Sequence, residues 1–450
     1  MVSVLWFRRD LRLADNPALL AAVADARADG DDRVVPLFVV DPVLWDAAGA
    51  PRRAYLAASL RALDEALQGE LLVLGGDPAR VLPHVVRSAG AGRVHVAADF
   101  GPYGRRRDDA VADAIDVPLV RTGSPYAVAP GRLLTADARP YRVFTPYYRA
   151  WLAHGWRAPA ASATDVRWWR PTAGDGLPSA SAPAGMVLPA AGEDAARDAW
   201  ETFREGAVTS YASDRDRPDR PGTSRLSHHL RFGEIHPRTV LAGLGPDDDA
   251  FRRELAWREF YADVLAARPD SARASLDRRF DEAMPWAGGP AADAAFAAWA
   301  SGRTGYPLVD AGMRQLRAEG WMHNRVRMVV ASFLVKDLHL PWQRGAREFM
   351  RLLCDGDLAS NAHGWQWTAG CGTDAAPFFR VFNPVRQGLT FDPDGDYVRR
   401  YVPELRHLDG AAAHEPWRRP DGYAHGYPAR VVDHAAERAV ALADHRAAVG

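Results

Sequence analysis

Short apolar runs recur through the first 123 residues, at 2–7, 34–40, 71–74, 94–97 and 117–120. Between them, 53–67 and 78–88 carry apolar residues at helical spacing. Continuous apolar runs of strand length, alternating with helices, predict parallel strands covered on both faces. No G-x-G-x-x-G follows the first strand, so the dinucleotide fingerprint is absent and this α/β unit is Rossmann-like in shape only. Between 124 and 192 the periodicity is lost, and Pro159, Pro171, Pro178, Pro183 and Pro189 stand among Ala, Gly and Ser. That composition predicts a connector, in which YRVFTPYYRAW at 141–151 is aromatic enough to pack onto a domain surface. From 193 onward strand signals fade, and helical spacing dominates at 254–267, 307–320, 324–338 and 346–353. The expected architecture is an α/β domain with a parallel sheet over 1–123, a linker over 124–192 and a larger all-α domain over 193–450.

Composition narrows the function classes. Hydrophobic residues make up 48% and charged residues 25% of 450, which suits a soluble globular protein with large cores. The formal net charge of −1 supplies no global field for nucleic acid, so any DNA-binding face must be a local basic patch. Basic charge is almost all Arg, with Lys336 the sole lysine. Cys354 and Cys371 are the only cysteines, which argues against a disulfide scaffold and for a reducing cytoplasm. MVSVLWFRRDLR at the start reads as a strand, not a signal peptide. No run approaches the roughly 20 apolar residues of a membrane span.

Candidate chemistry concentrates late in the chain. Residues 303–379 combine Trp, Asn, Arg and paired Asp in helical context. Such groups are costly to bury without partners, so this stretch is expected to wrap a large polar ligand with a flat ring. GTSRLS at 222–227 offers hydroxyls and free N–H groups suited to a phosphate; taken alone it also reads as an ordinary helix cap through Thr223 or Ser224. Glu254, Trp257, Arg258 and Tyr261 share one helix face, either as an ion pair beside core aromatics or as a binding surface. Asn324, Arg327 and Met328 share another face, from which Arg325 points away. Asn324 can donate to and accept from a ring edge, and Met328 alone reads as core filler. Asp355 and Asp357 lack an EF-hand loop or a His cluster, so no metal site is expected. For a Trp taken at random, core packing is the default role.

These motifs closely resemble those of the DNA photolyase and cryptochrome family, over nearly the whole chain from LWFRRDLRLADNPAL (5–19) to about Trp417. Family members carry TSxLS with a Tyr twelve residues before the Thr, the spacing of Tyr211 and Thr223 here. The resemblance implies that Tyr211, Thr223, Ser224, Arg225, Leu226 and Ser227 hold the phosphates and ribityl chain of FAD. ELxWREFY is also a family signature. By that likeness Glu254 bonds a damaged pyrimidine, Trp257 lines the lesion pocket and Arg258 lies on the flavin side. Asn324 then stands between flavin and substrate, and Arg327 contacts the flavin. In DGDLASN, Asp355, Gly356 and Asp357 bind the adenosine ribose and the ring edge, and Asn361 faces flavin N5. Trp286, Trp342 and Trp365 match an electron relay, although the segment from Trp286 to Trp299 is three residues longer here. Trp367 matches a second wall of the lesion pocket. Arg215, Arg325 and Arg380 match phosphate contacts.

The reading is a light-driven repair enzyme, nearest to class I cyclobutane pyrimidine dimer (deoxyribodipyrimidine) photolyases: a carbon–carbon lyase in which reduced FAD passes an electron to the dimer. The dimer must leave the base stack to be reached. The implied partner is UV-damaged DNA, and the protein is expected to be a cytoplasmic monomer. Animal and plant cryptochromes carry Cys or Asp at the place of Asn361, and (6-4) photolyases carry His at the place of Met328. The rivals are a photosensory cryptochrome, which a long C-terminal tail would favour, and a (6-4) photolyase, which Met328 disfavours. A non-photochemical flavin oxidoreductase would need a second substrate site. For an antenna, folate-binding relatives have an Asn-Glu pair where this chain has Tyr103 and Gly104. Asp99, with Arg52, instead matches binders of 8-hydroxy-5-deazaflavin, ranked ahead of methenyltetrahydrofolate or no antenna.

Overall fold

A computed structural model describes residues 1–374 and 379–449, divided into two compact units. The first unit comprises Met1–Pro183, Leu188–Gly206 and Ser224–Pro269. Its sheet has strands β1 (Val2–Phe7), β2 (Arg33–Val40), β3 (Leu72–Gly75), β4 (Ala91–Val96), β5 (Leu119–Arg121) and β6 (Arg167–Trp168). All pairings are parallel, in the order β3-β2-β1-β4-β5, with β6 also paired to β2. The central β1 is buried at all six positions, Ser3 included, as its mostly apolar run leads one to expect. Its core joins Val4, Trp6, Val35, Leu37 and Val94. Strand β5 starts two residues into the apolar run, because Pro118 has no N–H to donate.

Three helices of this unit begin with an Asx-Pro step: Asn16 before Pro17–Ala28, Asp41 before Pro42–Asp46 and Asp77 before Pro78–Ala89. Each Asx side chain accepts an N–H of the first turn, and the proline fixes φ where no donor is needed.

The interval 124–192, read as a connector, contains strand β6 and the helix Phe144–His154. Phe144, Tyr147, Tyr148 and Trp151 of that helix are buried, as the aromatic run suggested. Residues 193–206 and 224–269, read by periodicity with the all-α region, group with the sheet. Helical spacing identifies a buried face but not what covers it.

The second unit comprises Ala184–Val187, Ala207–Thr223 and the chain from Asp270 onward. Its described residues form helices and no strand. The core gathers Trp299, Tyr306, Met313, Phe333, Trp342, Phe349 and Trp365. The helix expected over 324–338 is two pieces: Asn324–Ser332 is α-helical, and Phe333–Asp337 is a π-turn. The extra residue per turn re-aims the side chains that follow. Asp337 there pairs with His434.

Candidate functional site

In the sheet unit the helix Asp249–Ala267 carries the ELAWREFY motif. Leu255, Ala256, Glu259 and Phe260 are buried, while Glu254, Trp257, Arg258 and Tyr261 form a half-buried stripe, the face the spacing predicted. Trp257 stacks flat on Phe144, with centroids 3.7 Å apart and planes 7° apart. One face of its ring is therefore covered by the segment read as a connector. The Arg258 guanidinium donates to the carbonyls of Pro125 at 3.1 Å and Leu230 at 3.0 Å. Opposite, the buried Glu259 accepts the N–H groups of Ala127 and Val128 and Nε1–H of Trp151. Burial pushes its acid above the ordinary carboxylate range against these donors. Sequence reading passed over Glu259; its placement at the start of a buried i, i+4 carboxylate pair with Asp263 was the available signal.

The GTSRLS segment divides between the units at Thr223 and Ser224. Ser224 Oγ accepts the N–H of Leu226 at 3.4 Å, and Arg225 adopts a left-handed φ of 50°. Ser227 opens the short helix Ser227–Phe232.

Near the end of β4, Asp99 lines a cleft of about 550 Å³ with Phe100, Arg105, Asp108, Asp263 and their neighbours. Burial acts to raise the Asp99 acid, but Arg107, Arg9 and Arg8 together hold it below the usual range. Arg107 pairs with Asp99 at 3.2 Å. Any side chain at Gly104 would overlap the Asp99 carboxylate. Arg52 lies outside the cleft lining and donates to the Ala47 carbonyl at 3.3 Å.

In the helical unit the remaining motifs converge. Arg327 donates to Asp355 Oδ2 at 2.8 Å and to the Met322 carbonyl at 2.7 Å. The other oxygen of Asp355 is buried without a hydrogen-bond partner among the described residues. Gly356 follows, and Asp357 caps the helix Leu358–Ala369 by accepting the Ser360 N–H at 3.1 Å. One turn in, half-buried Asn361 donates to the Ala346 carbonyl at 3.0 Å. Asn324 is exposed at the first position of its helix, which His323 caps, and Met328 is half-buried one turn on. Arg325 is held by Asp216 at 3.1 and 2.9 Å and lies over the Phe391 ring. Arg215 lies over Tyr211 at 5.6 Å, and Arg380 is exposed.

Trp365 is buried, and its Nε1–H finds no partner among the described residues. Its ring rests against Gly345, where any Cβ would overlap it, and meets Phe349 edge-on at 5.0 Å. Trp342 stands one turn before Gly345 on the same helix, buried, with Nε1–H donated to Ser275 Oγ at 3.0 Å. Trp286 is half-buried against Phe280, and the N–H of the following Ala287 bonds the carbonyl of His339, three residues before Trp342. Trp367 is half-buried. A buried polar atom without a partner costs free energy, so Asp355 Oδ1 and Trp365 Nε1 mark where a polar ligand fits. Burial drives both thiols toward the neutral form, with Cys371 pushed up to about 12 and Cys354 further. Among the described residues no group of His, Cys, Asp and Glu could hold a metal ion.

Comparison with known proteins agrees along the chain. The family model described as DNA photolyase matches residues 3–164, and that of the FAD binding domain of DNA photolyase matches 251–447. The deoxyribodipyrimidine photo-lyase of Streptomyces griseus is 44% identical over 459 residues, covering 97% of this chain and 98% of its own. The crystal structure of a class III photolyase from Agrobacterium tumefaciens superposes with a TM-score of 0.87 at 38% identity, over 99% of this chain and 97% of that one. An archaeal photolyase from Sulfolobus tokodaii, solved with two FAD molecules, gives 0.85 at 28%, over 99% and 100%. With its parallel sheet, helical unit and ordered motifs, this chain belongs to the DNA photolyase family.

Proposed function

We propose that this protein repairs cyclobutane pyrimidine dimers in DNA with light, using a noncovalently held FAD. The near full-length match to relatives named deoxyribodipyrimidine photo-lyase carries the reading. The unpartnered acceptor on Asp355 and donor on Trp365 fit a polar ring system. Reduced FAD, when bound, supplies the blue-light absorption and the electron for dimer cleavage.

The chain's own residues bind, orient and shield. Tyr211, the run Thr223 to Ser227, Arg258, Arg327, Asp355, Gly356, Asp357 and Asn361 are assigned to FAD, with Asn324 between it and the dimer. The Arg327–Asp355 pair fixes one carboxylate oxygen and leaves the other for the ligand. Trp365 and Trp342 carry an electron inward from Trp286; packing against Phe349 and Gly345 keeps the Trp365 ring fixed. Glu254, Trp257, Met328 and Trp367 are assigned to the flipped dimer, where an aromatic wall suits a base. Trp257 offers one ring face, since Phe144 covers the other. Arg215, Arg325 and Arg380 are assigned to phosphates, with Arg325 offering the side of its guanidinium that Asp216 does not use.

For the antenna we favour a deazaflavin at Asp99 over a folate, because a Glu at position 104 would collide with the Asp99 carboxylate. Arg52 enters this assignment on sequence pattern alone. No helix among the described residues is long and apolar enough to cross a membrane, and the two cysteines are buried free thiols; we place the protein in the cytoplasm as a monomer.

The deciding assay follows dimer content in a thymine-dimer duplex incubated with the reduced protein, in blue light and in darkness. Dimer loss in light alone is expected. No loss in light by protein carrying its full complement of FAD would overturn the reading.

A further inference from the structure

The sole lysine, Lys336, sits in the π-turn Phe333–Asp337 and is only 2% exposed. A buried ammonium is costly unless hydrogen-bonded. Its Nζ donates to the backbone carbonyl of Arg380, and it lies 4.2 Å from the Phe379 ring centroid. Phe379 stacks on its other partner, His445, at 4.0 Å and 19°. Four residues earlier, at the end of the preceding α-helix, Ser332 Oγ accepts the N–H of Phe382 at 3.3 Å. Two side chains about one turn apart thus grip alternate backbone groups of one short segment, and Arg380 lies within it.

We propose that Lys336, with Ser332, is a positioning residue for DNA binding: it clasps the backbone of 379–382 and presents Arg380 to a phosphate. The proposal rests on the assignment of Arg380 to DNA. The physical logic is pre-organisation. A segment fixed before binding loses less conformational freedom on binding. The tie is strongest when the amine is charged, because charge-assisted hydrogen bonds and cation–π contacts both need the ammonium.

Burial lowers the Lys336 pKa to about 7. The groups facing it are Cys371, whose thiol burial keeps neutral, Asp337, which is turned to His434, the Arg380 guanidinium, and His445, lowered by burial and then by Lys336 itself. Two consequences have opposite signs. The folded-state pKa lies below the ordinary lysine value, so the unfolded chain holds the extra proton between them, and Lys336's contribution to stability rises as pH rises through about 7. The clasp weakens over the same interval, so DNA affinity falls while folding stability grows. A lysine that merely fills the core would show only the stability change.

The experiment measures binding of the FAD-loaded full-length protein to a thymine-dimer duplex from about pH 6 to about pH 8, at constant salt, beside melting curves. Wild type should weaken about fivefold across that interval. K336M should bind weakly and without that step. K336R, charged throughout, should bind tightly and also lack the step. Should K336M be unstable, the wild-type and K336R profiles still decide, because a step retained in K336R overturns the proposal. An R380A variant separates the two ideas. If R380A binds normally, the phosphate assignment of Arg380 fails and the clasp's purpose with it. If R380A binds weakly while K336M and K336R keep the wild-type profile and affinity, the clasp alone is wrong.

Discussion

Two buried carboxylates, one in each unit, are satisfied in contrasting ways. Glu259 in the sheet unit uses both oxygens on partners of its own chain: two backbone amides and the Trp151 ring N–H. Asp355 in the helical unit gives one oxygen to Arg327 and keeps the other buried and unpartnered. Each stands in or beside a motif that stood out in the sequence, ELAWREFY or DGDLASN. The first carboxylate ties the aromatic segment 124–151 to its helix and is complete. The second is complete only when something else supplies a donor. Both carboxylates are buried, so in this pair the contrast lies in hydrogen-bond satisfaction and not in burial.

Removing Glu259 should produce the largest effect. Glu259→Ala strands three donors, and breaking a buried polar cluster of this kind costs about 3–5 kcal/mol. Chemical denaturation should show that loss, while FAD per folded molecule stays unchanged. Early loss of FAD at near-normal stability would erase the contrast.

Asp355→Asn should do the reverse. Loss of a charge-assisted bond of about 1.5–3 kcal/mol weakens FAD binding roughly tenfold to hundredfold. FAD-free protein should melt close to wild type. Equal FAD affinity in wild type and variant would mean that the unpartnered oxygen serves no ligand.

Trp365→Phe and Trp342→Phe test whether the second unpartnered group, Trp365 Nε1–H, belongs to a redox path or only to packing. Each change keeps an aromatic ring but removes the indole. Photoreduction of oxidised FAD should slow by about tenfold or more, equivalent to about 1.4 kcal/mol of barrier. Repair by chemically reduced protein should persist. Normal photoreduction in both variants would redirect the electron route.

The last test concerns a histidine on the same helix as Trp365, with an effect confined to acid pH. His363 Nδ1–H donates to the Ala359 carbonyl and Nε2 accepts from Ser271 at 3.0 Å. Burial pushes its pKa down to about 4, below the unfolded value, so folding excludes a proton that the unfolded chain binds. Its stabilisation is therefore lost as pH falls from about 6.5 toward 4, by up to about 1.4 kcal/mol per unit. The stability difference between wild type and His363→Gln should shrink over that range. A difference independent of pH would show that His363 is not kept neutral.

Much of this was legible beforehand. The five apolar runs appear as β1 to β5, because a strand covered on both faces admits few polar positions. The half-buried stripe of Glu254, Trp257, Arg258 and Tyr261 also followed from spacing. The partner of Trp257 did not: Phe144 is 113 positions away and sits in a segment with no period of its own. Nor did the break at Phe333, since an apolar run such as VVASFLV reads equally as α-helix or π-turn. Lys336 was conspicuous as the only lysine, but nothing local joined it to Arg380.

By itself, then, the sequence determined the layered sheet, the helical faces and the chemical kinds of group brought to each motif. Those depend on periodicity and composition, which act over a few residues. Tertiary structure alone decided which buried polar groups were satisfied within the chain and which were left unpartnered. It also decided that Lys336 would meet the carbonyl of Arg380. Hydrogen bonds operate over about 3 Å, and only the folded chain brings residues distant in sequence within that reach.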